Sequence, residues 1–420
     1  MLGRYIYIYA VYIIYILVFT SSINNSQITE GLDFLPEELV RDMLSQYKGI
    51  INDINNELLK LEKLKEKVRK ILENKGMLKN DNALIKPTIY PTTVGVDGSW
   101  SVIKQVALDI VAIAAVAVEG LIPPKEERKW PKPHHIVKIY PVKHSDDTST
   151  LCRALMFSYE LELAVNAPHK IVYVDGSLTS QLIAFGQAFS AIKEDIDNKL
   201  PSELKEEIIN RLDVILDNYL NVLKSERVDK LYVGIPKYSS RREILDNLHD
   251  GDLTEDEKNI LERWNDKALL TYLLKEGEVV GPIKLTTTKD KWHLSAIDDI
   301  SPSNIDKKEA ILNALNNLYV IYYKPSPAHP ALRLEIGGNI ANNNWKISIL
   351  LESLNNQARN LGIIEPYPLY IADSFVKNIF PSLIQLKDLT ISDIGSNNRD
   401  LNFQQIFLSL HEYRSESGLE

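Results

Sequence analysis

Thr93-Val94-Gly95-Val96-Asp97-Gly98-Ser99-Trp100 and Lys170-Ile171-Val172-Tyr173-Val174-Asp175-Gly176-Ser177-Leu178 are two apolar runs that each close on Asp-Gly-Ser. β-Branched residues dominate both, so each reads as a buried strand that its glycine terminates. Each carboxylate then stands where a strand gives way to a turn, and strand ends are where open α/β sheets build their sites. If the two strands are neighbours, Asp97 and Asp175 face each other across one crevice. Adjacent carboxylates repel unless a cation lies between them, and hard oxygen donors suit Mg²⁺ or Mn²⁺. The structural alternative is an Asp that caps a helix or forms an Asx-turn. A single copy favours that alternative; two copies, each after a strand, favour the metal.

Working outward, an α/β pattern begins after Pro87. The first strand ends at Asp97. Val106 to Val118 reads as a second strand, although its alanines also allow a helix, and His135 to Val142 as a third. Thr150 to Asn166 is helical, with Leu151, Leu155, Tyr159 and Leu163 on one face. The fourth strand, Ile171 to Val174, ends at Asp175. Helices over Leu182–Leu200 and Glu203–Val222 precede a fifth strand, Lys230–Ile235. This order is that of a ribonuclease H-like fold: α/β, a mixed five-stranded sheet core with flanking helices. That fold sets acidic groups on the first strand, the first helix and the fourth strand. Here those positions carry Asp97, Glu160 or Glu162, and Asp175. Glu162 points about 200° away from Glu160 on a helix, so only one of them is a ligand. Glu160, two turns from Arg153 on the same face, is the choice, against the alternative of a solvated helix face. Carboxylates that converge in this way can hold two ions about 3.5–4 Å apart for phosphoryl transfer, with Asp97 the shared ligand.

Other groups have two readings each. Gly234-Ile235-Pro236-Lys237-Tyr238-Ser239-Ser240-Arg241-Arg242 is a phosphate-holding loop or an exposed basic one. Arg333 and Glu335 alternate with Leu332, Leu334 and Ile336 on a strand, as an ion pair or with the Arg gripping phosphate. Tyr367 and Tyr370 are core aromatics or platforms for stacked bases. Glu243 to Lys289 is charged and reads as a helical insertion or lid; strands over Leu318–Tyr323 and Leu332–Ile336 and a helix over Trp345–Leu361 follow. The chain has no P-loop, GxGxxG or HExxH, so an ATPase or a dinucleotide enzyme is not supported.

The 420 residues are 45% hydrophobic and 25% charged, ordinary globular usage, with a net charge of −9. That charge argues against a DNA-coating protein but allows a local basic groove. The single cysteine, Cys152, permits no disulfide and no Cys-based zinc site, and reads as a small core residue. Leu39 to Leu72 is a long amphipathic helix on which Val40, Leu44, Tyr47, Ile51, Ile54, Leu58, Leu61, Val68 and Leu72 form a coiled-coil-like stripe. The stripe would pack on a second subunit or on the chain's own body. The apolar run Tyr5 to Thr20 is a signal or anchor, a short membrane span, or sequence upstream of the true start. The remainder of the chain reads as cytoplasmic, and a membrane partner is not expected.

Taken in order, Val96-Asp97-Gly98-Ser99, the Arg153–Glu160 helix, Val174-Asp175-Gly176-Ser177-Leu178, Gly234-Ile235-Pro236-Lys237, Asp266-Lys267-Ala268-Leu269-Leu270, Leu332-Arg333-Leu334-Glu335 and Tyr367-Pro368-Leu369 resemble the archaeal NurA nuclease family, from about Thr93 to about Lys377. The resemblance implies a ribonuclease H-like core and a Mn²⁺-dependent nuclease with 5′-to-3′ exonuclease and single-strand endonuclease activity. It implies a homodimer that works with the hexameric HerA-type helicase in end resection at DNA double-strand breaks. One departure stands out: many members have His after Pro-Leu-x-x-Ala, where this chain has Asp373, which can ligate a hard cation but cannot act as a neutral base. The expected division is an apolar segment 1–24, a helix 38–75, a nuclease domain 88–385 and a tail 386–420. The expected catalytic set is Asp97, Glu160 and Asp175, joined by Asp373 at the metal; Arg153, Lys237, Arg241, Arg333 and Tyr367 are expected on DNA, single-stranded or at duplex ends. A reading from another class is a non-catalytic DNA-binding or scaffold subunit of a repair complex.

Overall fold

The computed structural model describes residues 36–81, 90–124, 126–248, 253–285, 294–359 and 362–397. The run Tyr5 to Thr20 and most of the tail after Gly395 lie outside them. The chain forms two units, 1–66 and 67–420. The described part of the first is the opening of helix α1 (Glu37–Asn74). Within it Leu44, Tyr47, Ile51 and Ile54 are exposed, and Arg41 pairs with Glu37 one turn away. The final turns of α1 belong to the second unit, where Val68, Ile71 and Leu72 are buried.

Among the described residues, the second unit is built on one mixed sheet of nine strands, β1 to β9 in chain order, arranged β1-β7-β8-β9-β6-β5-β2-β3-β4. The five expected strands are its contiguous half. β2 (Thr93–Lys104), β3 (Asp109–Glu119) and β4 (His134–Val142) form an antiparallel meander; β5 (Ile171–Asp175) runs parallel to β2, and β6 (Leu231–Ile235) parallel to β5. The Ala-rich run is a strand because Val and Ile alternate with its alanines and both of its edges are paired. A five-stranded sheet is too small, however. From β6 the sheet continues antiparallel through β9 (Leu332–Gly337), β8 (Leu318–Tyr323), β7 (Glu278–Lys284) and β1 (Leu78–Asn80).

Helices α2 (Thr148–Asn166), α3 (Ser180–Glu194) and α4 (Ser202–Lys224) connect the strands of the first half. α3 stops short of Leu200 because Asp195 Oδ1 accepts from the backbone N–H groups of Lys199 and Leu200, which turns the chain away from the helix. The region from Glu243 to Lys289 is not a wholly helical insertion. Among its described residues it holds three short helices, α5 (Glu243–Asp246), α6 (Glu255–Glu262) and α7 (Asp266–Leu273), and then β7, whose Val279 and Val280 enter the sheet core. Beyond α8 (Ile297–Ile300) and α9 (Ile305–Leu315), α10 (Gly338–Ala341) and α11 (Asn344–Gln357) follow β9. The stretch after Glu365, to which sequence pattern alone assigns no element, forms α12 (Tyr367–Lys377) and α13 (Ile379–Asn397). Its prolines at 366 and 368 sit at the helix start, where no N–H is missed.

Successive residues of a strand point to opposite faces, and the glycines of β2 show what covers each. A Cβ on Gly95 would stand 2.5 Å from the backbone of Pro368 and Leu369 in α12. A Cβ on Gly98 would stand 2.6 Å from Glu160 Oε1 and 2.7 Å from Met156 Cγ in α2. Strand β2 therefore runs between α2 and α12, and bare positions let both helices approach it.

Candidate metal centre

β2 and β5 are neighbours in register at Val96 and Val174, so the next residues along, Asp97 and Asp175, come side by side. The two are not equivalent. β2 continues through Asp97 to Lys104, because β3 pairs with it along its whole length, and Asp97 lies within a strand rather than at its end. Only β5 stops: Gly176 takes a φ of +81° that side chains disfavour, and the chain turns away at Asp175. The crevice exists because one strand ends where its neighbour runs on.

Asp97 is 5% exposed and its Oδ1 accepts from the Gly98 N–H at 2.8 Å. Glu160 arrives from α2, is 2% exposed, and its Oε2 has no hydrogen-bond partner. Asp175 Oδ1 is likewise buried without a partner. Glu162 points elsewhere and pairs with Arg211 of α4. Asp373 comes from α12, and one oxygen from each of Asp97, Asp175 and Asp373 lies within 4.8 Å of the others. Lys237, just beyond β6, reaches into this cluster: its Nζ is 2.8 Å from Asp373 Oδ1, 3.3 Å from Glu365 Oε2 and 3.5 Å from Asp175 Oδ2. Lys377 holds the other oxygen of Asp373 at 2.5 Å.

Burial, and next the neighbouring Asp175, push the Asp97 carboxyl well above the usual carboxylate range. Burial does the same for Glu160, with Asp97 and Asp175 adding to it. Burial also raises Asp175 and Glu365, against the opposing charge of Lys237. Asp373 is held low: burial works against it, but the bonds from Lys237 and Lys377 prevail. Lys237 is raised by Asp175, Asp373, Glu365 and Asp97 in spite of burial. Hard oxygen donors, three of them (Glu160 Oε2, Asp175 Oδ1 and Glu365 Oε2) buried without a hydrogen-bond partner, fit a divalent cation of the Mg²⁺ or Mn²⁺ type.

A family model described as the NurA domain matches residues 91–377, more than half of the chain. The chain belongs to the NurA family. Among solved structures, the NurA nuclease from Sulfolobus solfataricus aligns with a TM-score of 0.56 at 16% identity, over 87% of this chain and 99% of that one. A structure of NurA bound to dAMP and manganese aligns at 17% identity over 80% of this chain and 97% of that one, with a TM-score of 0.49. No curated protein matches the chain.

Not every residue expected on DNA faces solvent in this NurA-family chain. Arg333 is 0% exposed: its guanidinium bonds both carboxylate oxygens of Glu243, Glu335 Oε1 at 3.0 Å, and the Tyr322 hydroxyl. It cannot grip a phosphate, because it is fully buried and Nε, Nη1 and Nη2 each already donate within the fold. The reading of Arg333 and Glu335 as an ion pair is the one the structure has. Lys237 is also no loop-surface contact, since the carboxylates draw it inward. Arg241 is half-buried near Glu243. Arg153 is exposed while Glu160, on the same nominal face, is buried; seven residues are about 10 Å of helix, enough to change the surroundings. Tyr367 is partly exposed at the first turn of α12 and Tyr370 is exposed.

Several participants escape sequence reasoning. Glu365 contributes a carboxylate from the residue before the proline that opens α12. Glu335 Oε2 accepts from Ser177 Oγ at 2.6 Å and from the Leu178 N–H at 3.0 Å, which holds the turn that follows Asp175. Lys267 Nζ donates to the backbone carbonyls of Pro236 and Lys237, and Asp266 accepts from the Ile244 and Leu245 N–H groups. Arg333 therefore links the turn after Asp175, through Glu335, to the segment after Lys237, through Glu243. The signal was present, since Asp266-Lys267 and Leu332-Arg333-Leu334-Glu335 are motifs; their depth was not. Cys152 is buried, with its thiol pushed up to about 12 by burial, in keeping with a core role.

Proposed function

We propose that this chain is a metal-dependent DNA nuclease, a phosphodiester hydrolase that uses Mn²⁺ or Mg²⁺ at a centre formed by Asp97, Glu160 and Asp175, with Asp373 within reach. The observation that carries the reading is a buried carboxylate cluster with orphaned oxygens on a NurA-family domain. A divalent ion bound there supplies Lewis acidity and a more acidic water. The chain's own residues hold the ion: Asp97 from a continuous strand, Asp175 from a strand end, Glu160 from the helix between. Burial makes uncompensated carboxylates costly, so the cluster favours a cation strongly. The strand order β4-β3-β2-β5-β6 supports a ribonuclease H-like core.

The finer reading is a 5′-to-3′ exonuclease and single-strand endonuclease that resects double-strand breaks with a HerA-type hexameric helicase, as a homodimer. A net charge of −9 supports the partnership, because such a chain attracts a polyanion weakly at long range and a translocase that feeds DNA to it raises the local concentration. Arg153, Arg241 and Tyr367 are the candidates for strand contact. The test uses 5′-labelled and 3′-labelled single strands with Mn²⁺, with and without a HerA-type ATPase. Short 5′-labelled products that accumulate from the outset, and faster cutting of duplex ends with the ATPase, are expected. DNA binding with no cutting in Mn²⁺ or Mg²⁺ would establish a scaffold subunit instead.

A further inference from the structure

The carboxylates of the centre divide into two sides that share Asp175. On one side, Asp175 Oδ1 and Glu160 Oε2 have no partner, and Asp97 has only the Gly98 N–H on Oδ1. On the other, Asp175 Oδ2, Glu365 Oε2 and Asp373 Oδ1 surround a single ammonium, Lys237 Nζ, at 3.5, 3.3 and 2.8 Å; Glu365 Oε2 has no hydrogen bond either, but unlike the first two oxygens it stands at ion-pair distance from a cation. Asp373 Oδ1 is hydrogen-bonded to this ammonium, while Asp175 Oδ2 and Glu365 Oε2 lie at ion-pair distance from it. Both oxygens of Asp373 face lysines, Lys237 and Lys377, so this carboxylate belongs to the ammonium side.

We propose that Lys237 is a resident second cation: the centre takes one divalent ion, on the Asp97–Glu160–Asp175 side, and the ammonium fills the place beside Asp175 where a second ion would otherwise sit. This rests on the metal-dependent reading above. Centres with two ions hold them about 3.5–4 Å apart across a shared carboxylate. Asp175 is such a carboxylate, and one of its two oxygens is already paired with a fixed positive charge. The lysine is anchored at its root as well as its tip. Lys267 Nζ donates to the Pro236 carbonyl at 3.1 Å and the Lys237 carbonyl at 2.6 Å, so the stem starts from a held position. An incoming divalent ion would have to displace a tethered ammonium from three carboxylates, which a free competing cation in solution would not require. Glu365, otherwise without a role, is explained as the third wall of the ammonium cradle.

Mn²⁺ titration of the full chain, by isothermal calorimetry and by electron paramagnetic resonance, tests this. One ion per chain, with the signal of an isolated Mn²⁺, is expected for the wild type up to millimolar free metal. Lys237→Met should take two ions and show the broadened spectrum of a coupled pair, the second ion binding at least tenfold more tightly than any second ion in the wild type. Lys237→Arg should stay at one. A wild type that binds two ions of comparable affinity overturns the inference while leaving a metal-dependent nuclease intact, and so does a folded Lys237→Met that stays at one. A wild type that binds no Mn²⁺ contradicts the metal-dependent reading beneath it. If Lys237→Met fails to fold, the wild-type stoichiometry decides alone.

Discussion

Arg333 is a fully buried cation that holds two buried carboxylates. Its replacement by Met would leave Glu243 and Glu335, 4% and 2% exposed, as buried carboxylates without their partner. Breaking a buried pair from one side costs about 3–5 kcal/mol, and urea unfolding should show a loss of that size. A variant as stable as the wild type, with only its salt-dependent DNA affinity reduced, would mean that Arg333 faces phosphate after all. Asp266 gives a pH signature. Burial pushes its carboxyl up to about 7, against the pull of the Ile244 and Leu245 N–H groups. Its folded value thus lies above the unfolded one, near 3.9, and the folded state holds the proton more tightly. The resulting stability is complete below pH 4 and is lost as pH rises through about 7. Melting temperatures of wild type and Asp266→Asn, compared across that window, should favour the wild type most at the acid end; a pH-independent difference would contradict the assignment. At this scale the sequence was legible where chemistry follows a strand: Asp97 and Asp175 could be read because a β-branched run precedes each. It was illegible where depth decides. Arg333 looks like a phosphate ligand until Glu243, 90 residues earlier, is found beside it.

Between elements, the approach of α2 and α12 to β2 depends on Gly95 and Gly98. An alanine at 95 would drive a methyl into the backbone of Pro368 and Leu369, which has no rotamer to yield. Gly95→Ala should cost about 1–3 kcal/mol through overpacking and, by pushing the strand that bears Asp97 two residues on, weaken Mn²⁺ binding. Unchanged calorimetric affinity together with an unchanged melting temperature would contradict the packing described. Strands β2, β5, β8 and β9 announce themselves by apolar, β-branched or aromatic runs. β1 does not: Leu78-Lys79-Asn80 has no pattern and is a strand only because β7 pairs with it. β7 is hidden by charged flanks and by the Gly281-Pro282 pair inside it. In both cases the pairing partner, not local preference, decides the element.

For the whole molecule, an acidic chain with a local centre should bind DNA weakly on its own and lose that affinity steeply with salt. Dimerisation through the exposed stripe of α1 is part of the proposal. Replacing Ile51 and Leu58 by Lys should turn a sedimenting dimer into a monomer at micromolar concentration, whereas a persistent dimer would place the interface elsewhere. Among the described residues, no helix is long and apolar enough to cross a membrane. The central claim is that Asp97, Glu160 and Asp175 hold the ion on which DNA cleavage depends. The most direct measurement is single-turnover cleavage of a labelled single strand by chelator-treated wild type and Asp97→Asn, before and after Mn²⁺ is restored. The account predicts no cutting without the ion, recovery in the wild type, and a rate at least ~10³-fold lower in Asp97→Asn, about 4 kcal/mol of lost transition-state stabilisation. Undiminished cutting in excess chelator, or full activity in a folded Asp97→Asn, would contradict it.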